Sequence, residues 1–260
     1  ILLGSDNGGT VTPTDGSVTT DKFASNATLT TTGTVTTQGT GTTGGTITLE
    51  NTDTSGSNGD FLGKINFKGN DSSSSASGTR AAIEAKVVSN FGSTELHFKT
   101  AASGASATDA MVMSSDGEVT KPLQPAFSAR NNATQSNIDN NTLILFGAET
   151  FDIGSNFASD HTFTAPVTGK YQLNAMVRMD NLDSSGTWVA MTIQTSNRNY
   201  TMLNSASTLD TDSGYWTFTV TALADLDAND TANVLFNKSG GSATGDATDG
   251  AAHFNGFLAC

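Results

Sequence analysis

Cysteine is nearly missing from this chain: Cys260 is the only one in 260 residues. That excludes an intrachain disulfide framework and a cysteine-based zinc site, and it leaves Cys260 as a free thiol. Clusters of lysine and arginine are missing too. With 12 basic against 25 acidic residues the formal net charge is −13. Nowhere do cations gather as nucleic-acid or anionic-membrane binding requires. No apolar run approaches the length of a membrane span, so membrane insertion is not expected. The opening residues, ILLGSDN, have no initiator methionine, basic region or long apolar core, and do not read as a signal peptide.

Apolar residues are scarce at the start. Only twelve of residues 1–60 belong to the set AVILMFWYC, against 35% of the whole chain. So few cannot offset the entropy of ordering a domain made from one chain. The stretch TLTTTGTVTTQGTGTTGG, residues 28–45, is the extreme case, with Leu29 and Val35 alone among threonine and glycine. Its β-branched threonines suit an extended backbone. Its apolar side chains find a core only where several copies share an axis. Ile1, Leu2 and Leu3 form an isolated apolar cluster and are candidates for docking between subunits.

Helical periodicity is close to absent, and period two takes its place. In YQLNAMVRM, residues Tyr171, Leu173, Ala175, Val177 and Met179 share one face of a strand. The same alternation places Val189, Met191 and Ile193 together, then Trp216, Phe218, Val220 and Ala222, then Ala232, Val234 and Phe236. Residues 125–260 hold both tryptophans, all three tyrosines and nine of the fourteen phenylalanines. The core is therefore expected there, in an antiparallel sandwich or jelly roll. Residues 58–120 predict a smaller β block. Phe61, Gly63, Ile65 and Phe67 align on one strand, Ala81, Ile83, Ala85 and Val87 on the next, and Asp116-Gly117 marks a hairpin turn. A block this small, with no disulfide, needs oligomerisation.

Ordered motifs then point to a family. QPAFSAR opens the C-terminal block with Pro125 and Phe127, and Leu145 and Phe146 follow in the next strand. Phe163, Thr164, Pro166, Gly169 and Tyr171 give F-T-x-P-x-x-G-x-Y. Leu226 to Val234 carries Asn229 and Asp230 where a G-D pair is usual, and Phe254, Gly256, Phe257 and Leu258 end the block. This resembles the C1q-like domain of the C1q/TNF superfamily. The resemblance implies a ten-strand jelly roll that assembles as a homotrimer and binds rather than catalyses. Ala165 stands where many animal members carry cysteine, and Asn229 replaces a glycine while still tolerating a left-handed turn.

The N-terminal part has its own likeness. DGSVTTDKFASNAT resembles repeat units of phage tail fibres, and GKINFKGND with AAIEAKV, LHFKT and AMVMSSDGEV is similar to a module in fibres of marine tailed phages. The expected organisation is a docking and stalk region at 1–57, a β spacer at 58–122 and a C1q-like head at 123–260. It implies a trimeric virion fibre, at the virion surface or otherwise extracellular, whose head binds a host-surface glycan or protein. The alternative is a bacterial extracellular filament of stacked trimers joined through the N-terminal segment. Other virion proteins or neighbouring subunits are the partners expected at that end. Adhesive loops are expected near residues 131–142, 180–187, 204–213 and 237–250.

Catalytic motifs are not evident. His97, His161 and His253 read as ordinary β-surface histidines, and no enzyme is expected. Hard oxygen ligands suited to calcium are offered by Asp225, Asp227 and Asp230 in DLDAND, with Asp210 and Asp212 as a second acidic pair. Solvated turn aspartates are the plainer reading of both. No other cofactor is implied.

If the stretch 28–45 is ordered only by assembly, limited proteolysis should cut it in a monomeric fragment and spare it in the assembled protein. Equal cutting in both would mark it as a linker.

Overall fold

The structure is a computed structural model that describes residues 36–39, 42, 44–89, 92–208 and 213–260. Ile1, Leu2 and Leu3, most of the threonine-glycine stretch, and the Asp210 and Asp212 pair lie outside the described residues. The chain divides into two compact units, Ile1–Leu49 and Glu50–Cys260. The described part of the first carries no strand.

Five strands open the second unit: β1 (Phe61–Gly69), β2 (Gly78–Val87), β3 (Thr94–Thr100), β4 (Thr108–Met113) and β5 (Val119–Thr120). They pair in sequence order as an antiparallel meander. The expected Asp116-Gly117 turn joins β4 to β5. Gly117 has φ of 94°, and the amide of Ser114 donates to the carbonyl of Glu118 at 2.9 Å.

Eleven strands follow: β6 (Ala126–Arg130), β7 (Gln135–Ile138), β8 (Thr142–Leu143), β9 (Ala148–Ile153), β10 (Phe163–Thr164), β11 (Gly169–Leu182), β12 (Gly186–Thr195), β13 (Asn199–Ser205), β14 (Ser213–Leu226), β15 (Thr231–Gly240) and β16 (Gly245–Leu258). One sheet has the order β14-β11-β16-β6-β9, with β7 also on β16. The other runs β10-β15-β12-β13, with β8 also on β15. Most connections cross between the sheets, the β12–β13 hairpin and β6–β7 staying within one, and every pairing in them is antiparallel. This is the jelly roll that the motifs imply, with eleven ladder segments in place of ten because the route from β6 to β10 is broken into short pieces.

The alternation read from the sequence becomes the core. Tyr171, Leu173, Ala175, Val177 and Met179 face inward from β11, and Val234 and Phe236 meet them from β15. Phe127 joins the layers. Its ring stacks on Phe163 at 4.6 Å and Phe157 at 5.1 Å, and meets the edge of Phe254 at 5.0 Å. Such pairs add to burial because ring quadrupoles favour offset and edge-on contact. Gly256 makes the arrangement possible. A Cβ there would fall 2.6 Å from Leu173 Cδ2, 2.9 Å from the Gln172 carbonyl oxygen and 2.9 Å from Phe127 Cε1.

Gly256→Ala should therefore overpack the core, at a cost of about 1–3 kcal/mol. Thermal unfolding should show a midpoint lowered by roughly 2–10 °C. Gly214→Ala, where nothing lies within 4 Å of the added carbon, should leave the midpoint within about a degree. Equal midpoints for the two variants would overturn this account of the core.

Candidate binding and assembly surfaces

The register of β11 gives the sandwich two unlike ends. At one, Gly169 opposes Leu226 and Tyr171 opposes Leu258. The chain enters β6 beside them, since the amide of Leu258 donates to the carbonyl of Pro125 at 2.9 Å. At the other end, Asp180 opposes both Tyr215 and Asp246. A strand of 14 residues at about 3.3 Å each separates these ends by roughly 45 Å. The entry end is called the base below, and the other the rim.

The sequence motifs gather at the base and in the core. Pro125, Phe127, Phe146 and Phe163 are buried, and Phe254 is fully enclosed. The buried Tyr171 hydroxyl donates to the carbonyl of Val167 at 2.7 Å. Burial pushes the phenol up from its ordinary value. Pro166 is exposed in the turn before Gly169, where a Cβ would meet Leu258 Cδ1 at 2.6 Å. Asn229 has φ of 76°, the left-handed geometry its place in the motif implies. Phe257 differs from its neighbours: it points outward and is 47% exposed.

The aspartates proposed for calcium also lie at the base, and each has another occupation. Asp225 pairs with Lys170 at 2.5 Å. Asp227 accepts from the Thr168 hydroxyl at 3.4 Å. Asp230 accepts from the Asp227 amide at 2.8 Å and from Asn197 Nδ2 at 2.7 Å, closing the turn. Among the described residues, no three histidine, cysteine, aspartate or glutamate side chains group to hold a metal ion. Asp225, Asp227 and Asp230, offered above for calcium, each take part in the bonds that shape this turn.

The outer face of the six-stranded sheet is graded from base to rim. Nearest the base, one cross-strand row runs Ile153, Ala126, Phe257, Gln172, Leu223. Phe257, Leu223 and, in the next row, Phe151 are 47%, 58% and 49% exposed. That next row continues Ser128, Asn255, Asn174, Thr221. Asn174 bonds Asn255 at 3.2 Å and accepts from Thr221 at 3.0 Å. Towards the rim the face becomes mixed: Met176 and Tyr215 are exposed, and Arg178 clasps Asp180 through Nε at 2.9 Å and Nη2 at 3.1 Å.

Three of the four loops expected to be adhesive converge at the rim. Lys238 ties two of them together: its ammonium reaches Asp139 at 3.1 Å and the Ala243 carbonyl at 2.6 Å. Asp246 accepts from the Asn137 amide at 2.9 Å and from Asn181 Nδ2 at 3.0 Å. Asn137, Asn141 and Asn181 all take positive φ, which asparagine supports better than most residues. The fourth loop, 204–213, is described only to Thr208 and from Ser213. Asp183 pins β11–β12 to β15–β16. It accepts from the Ser185 hydroxyl at 2.6 Å, the Ser185 amide at 2.9 Å and the Ala243 amide at 2.9 Å. These donors, the Ser185 hydroxyl foremost, hold its carboxyl far below the usual carboxylate range.

The histidines do not share one environment. His253 is half-buried on the outer sheet face, and His161 Nδ1 accepts from the Phe146 amide at 3.2 Å. His97 departs from the expected surface position. It is buried, with Nδ1 3.0 Å from Asp109 and Nε2 3.1 Å from Glu95. Alternation in TELHFKT puts it on the polar face, and the sequence does not signal that carboxylates close over that face.

No protein-family model matches the chain, and no curated protein matches it. Among solved structures it is similar to the globular domain of zebrafish complement 1qA, with a TM-score of 0.40 and 19% identity over 53% of this chain and 98% of that one. Murine APRIL gives 0.38 and 13% over 52% and 98%, and Eiger TNF from S. frugiperda 0.40 and 12% over 53% and 94%. The strand order above is that of a two-sheet, jelly-roll-like sandwich.

Asp183 generates a pH prediction. Its folded-state pKa is depressed, so its stabilisation is fully present above the unfolded carboxylate value, about 3.9, and is lost as pH falls through the folded one. Asp183→Asn should lower the melting temperature at pH 7, and the gap should close progressively below about pH 4. A gap that persists unchanged at pH 1 would contradict this.

Proposed function

We propose that the protein is a structural and adhesive subunit of a homotrimeric virion fibre, with residues 1–57 as stalk, 58–122 as spacer and 123–260 as a head that engages a host-surface glycan or protein. One observation carries the reading. The sandwich exposes apolar side chains in the rows nearest the base, Phe257, Leu223 and Phe151, and gathers its polar loops at the rim roughly 45 Å away. Exposed apolar rows suit burial between copies. Carboxylates and amides such as Asp246, Asn137 and Asn181, held in fixed turns, suit hydrogen bonding to sugar hydroxyls or a protein surface. Assembly and adhesion then occupy separate regions, and trimerisation multiplies weak rim contacts by avidity. The extracellular placement follows from that role.

The native mass should be about three times the 26.7 kDa of one chain. Phe257→Glu, placing a charge in the basal row, should shift it to monomer while the near-ultraviolet spectrum keeps its aromatic core signal. Negative-stain electron microscopy should show separate, headed rods, and long filaments with a regular axial repeat would overturn the fibre reading. A monomeric wild-type chain would overturn self-association altogether.

A further inference from the structure

The sheet of residues 61–120 is one layer with two unlike faces. On one, cross-strand neighbours run Ile65, Ile83, Phe98, Met111. A second row is Gly63, Ala85, Leu96, Met113, Val119, and a third begins Phe67, Ala81, Thr100. These rows contain no ionisable side chain. The opposite face aligns Lys64, Glu84 and His97, with Lys99 and Asp109 in the next row. There the charges satisfy one another: Lys99 lies 2.9 Å and Lys64 3.8 Å from Glu84, and His97 sits between Glu95 and Asp109. Arg80 donates to the carbonyls of Ala101, Ala102 and Ala105. Glu84 and His97 are buried, whereas Ile65, Phe67, Met113 and Val119 are 45%, 53%, 39% and 50% exposed. A sheet with one face in water ordinarily buries its apolar side. Here the apolar side is open, and burial on the other side is confined to the ion-paired centre around Glu84 and His97, since Lys64 and Lys68 are exposed.

We propose that this open face packs against the same face of further copies of the chain, so that residues 61–120 complete one apolar core between chains. The proposal rests on the self-association argued above and places a second contact region in it. Size favours copies over an unrelated partner. Five strands about 4.8 Å apart and about six residues long at 3.3 Å each span roughly 500 Å². That falls short of the roughly 800 Å² per partner of a stable interface. The face does not stop at β5, however. Val119 lines one depression together with Pro125, Ala126, Ile153 and Phe257, with Lys121 and Gln124 also in its wall, so the surface continues into the apolar row of the head. A copy seated on that row is carried onto the spacer face. Charge favours copies as well. Chains of −13 each meet here through rows that carry no ionisable side chain, Lys121 of the depression adding a cation, and their ion pairs stay on the opposite face.

The test uses the full chain with Cys260→Ser, so that one introduced thiol is the only one present. Phe67→Cys places it on the open face, and Lys68→Cys places it on the opposite face of the same strand. In the assembled protein, maleimide should modify position 67 at least tenfold more slowly than position 68, and mild oxidation should crosslink chains through position 67 alone. Adding Ile65→Asp to Phe67→Cys should raise labelling at position 67 tenfold while the head keeps the chains together. Equal labelling of the two positions in a multimeric protein would overturn this proposal and leave self-association standing. A monomer labelled equally at both would overturn both. A monomer protected at position 67 would show that another segment of the same chain covers the face, and would overturn the proposal too.

Discussion

The stacked ring of Phe127, held between Phe163 and Phe157 with the edge of Phe254 against it, ties together segments that are otherwise far apart in the chain. Phe127 and Phe254 belong to neighbouring strands of one sheet, and Phe163 belongs to the other. The contact thus fixes how the layers face each other. Gly256 must lack a side chain for Phe127 to sit at its observed depth. Once the layers are set, the long strands β11, β14 and β16 place the base and rim at their two ends. The surfaces of the sandwich depend on that placement.

The jelly roll was legible because its signal is local. Each long strand alternates apolar and polar residues, and the inward set in the structure is the set that alternation selects: Tyr171 to Met179, Val189 to Ile193, Ala232 to Phe236. The turn at Asn229 was legible for the same reason, since φ of 76° is a property of one residue in a tight connection. The open apolar face of the spacer follows the alternation of β1 and β2 just as directly. Alternation says which residues share a face. It does not say which face is covered.

What the sequence concealed depends on approach between distant segments. His97 looked like any histidine on a strand, and its burial comes from Glu95 beside it and Asp109 on the next strand. The anchoring role of Asp183 needs Ala243, sixty residues away. The three aspartates of DLDAND look like a ligand set in one dimension. In three dimensions Lys170, Thr168 and Asn197 each bond one oxygen of one of them. Hydrogen bonds of a turn and ligands of an ion draw on the same residue types, so composition alone could not separate them.

The pairing of β6 also determines how the head bears force. The chain enters the sandwich at Ala126 and runs at once between β16 and β9, with five register partners on each side. A pull between the base and the rim draws β6 along its own length. The ladder bonds on both sides are then loaded together in shear, and they resist as a group. Peeling from an edge would break them one after another. A tether that enters beside an edge strand such as β14 would unzip at lower tension, so the position of the entering strand lets the sandwich stay folded under a pull between base and rim.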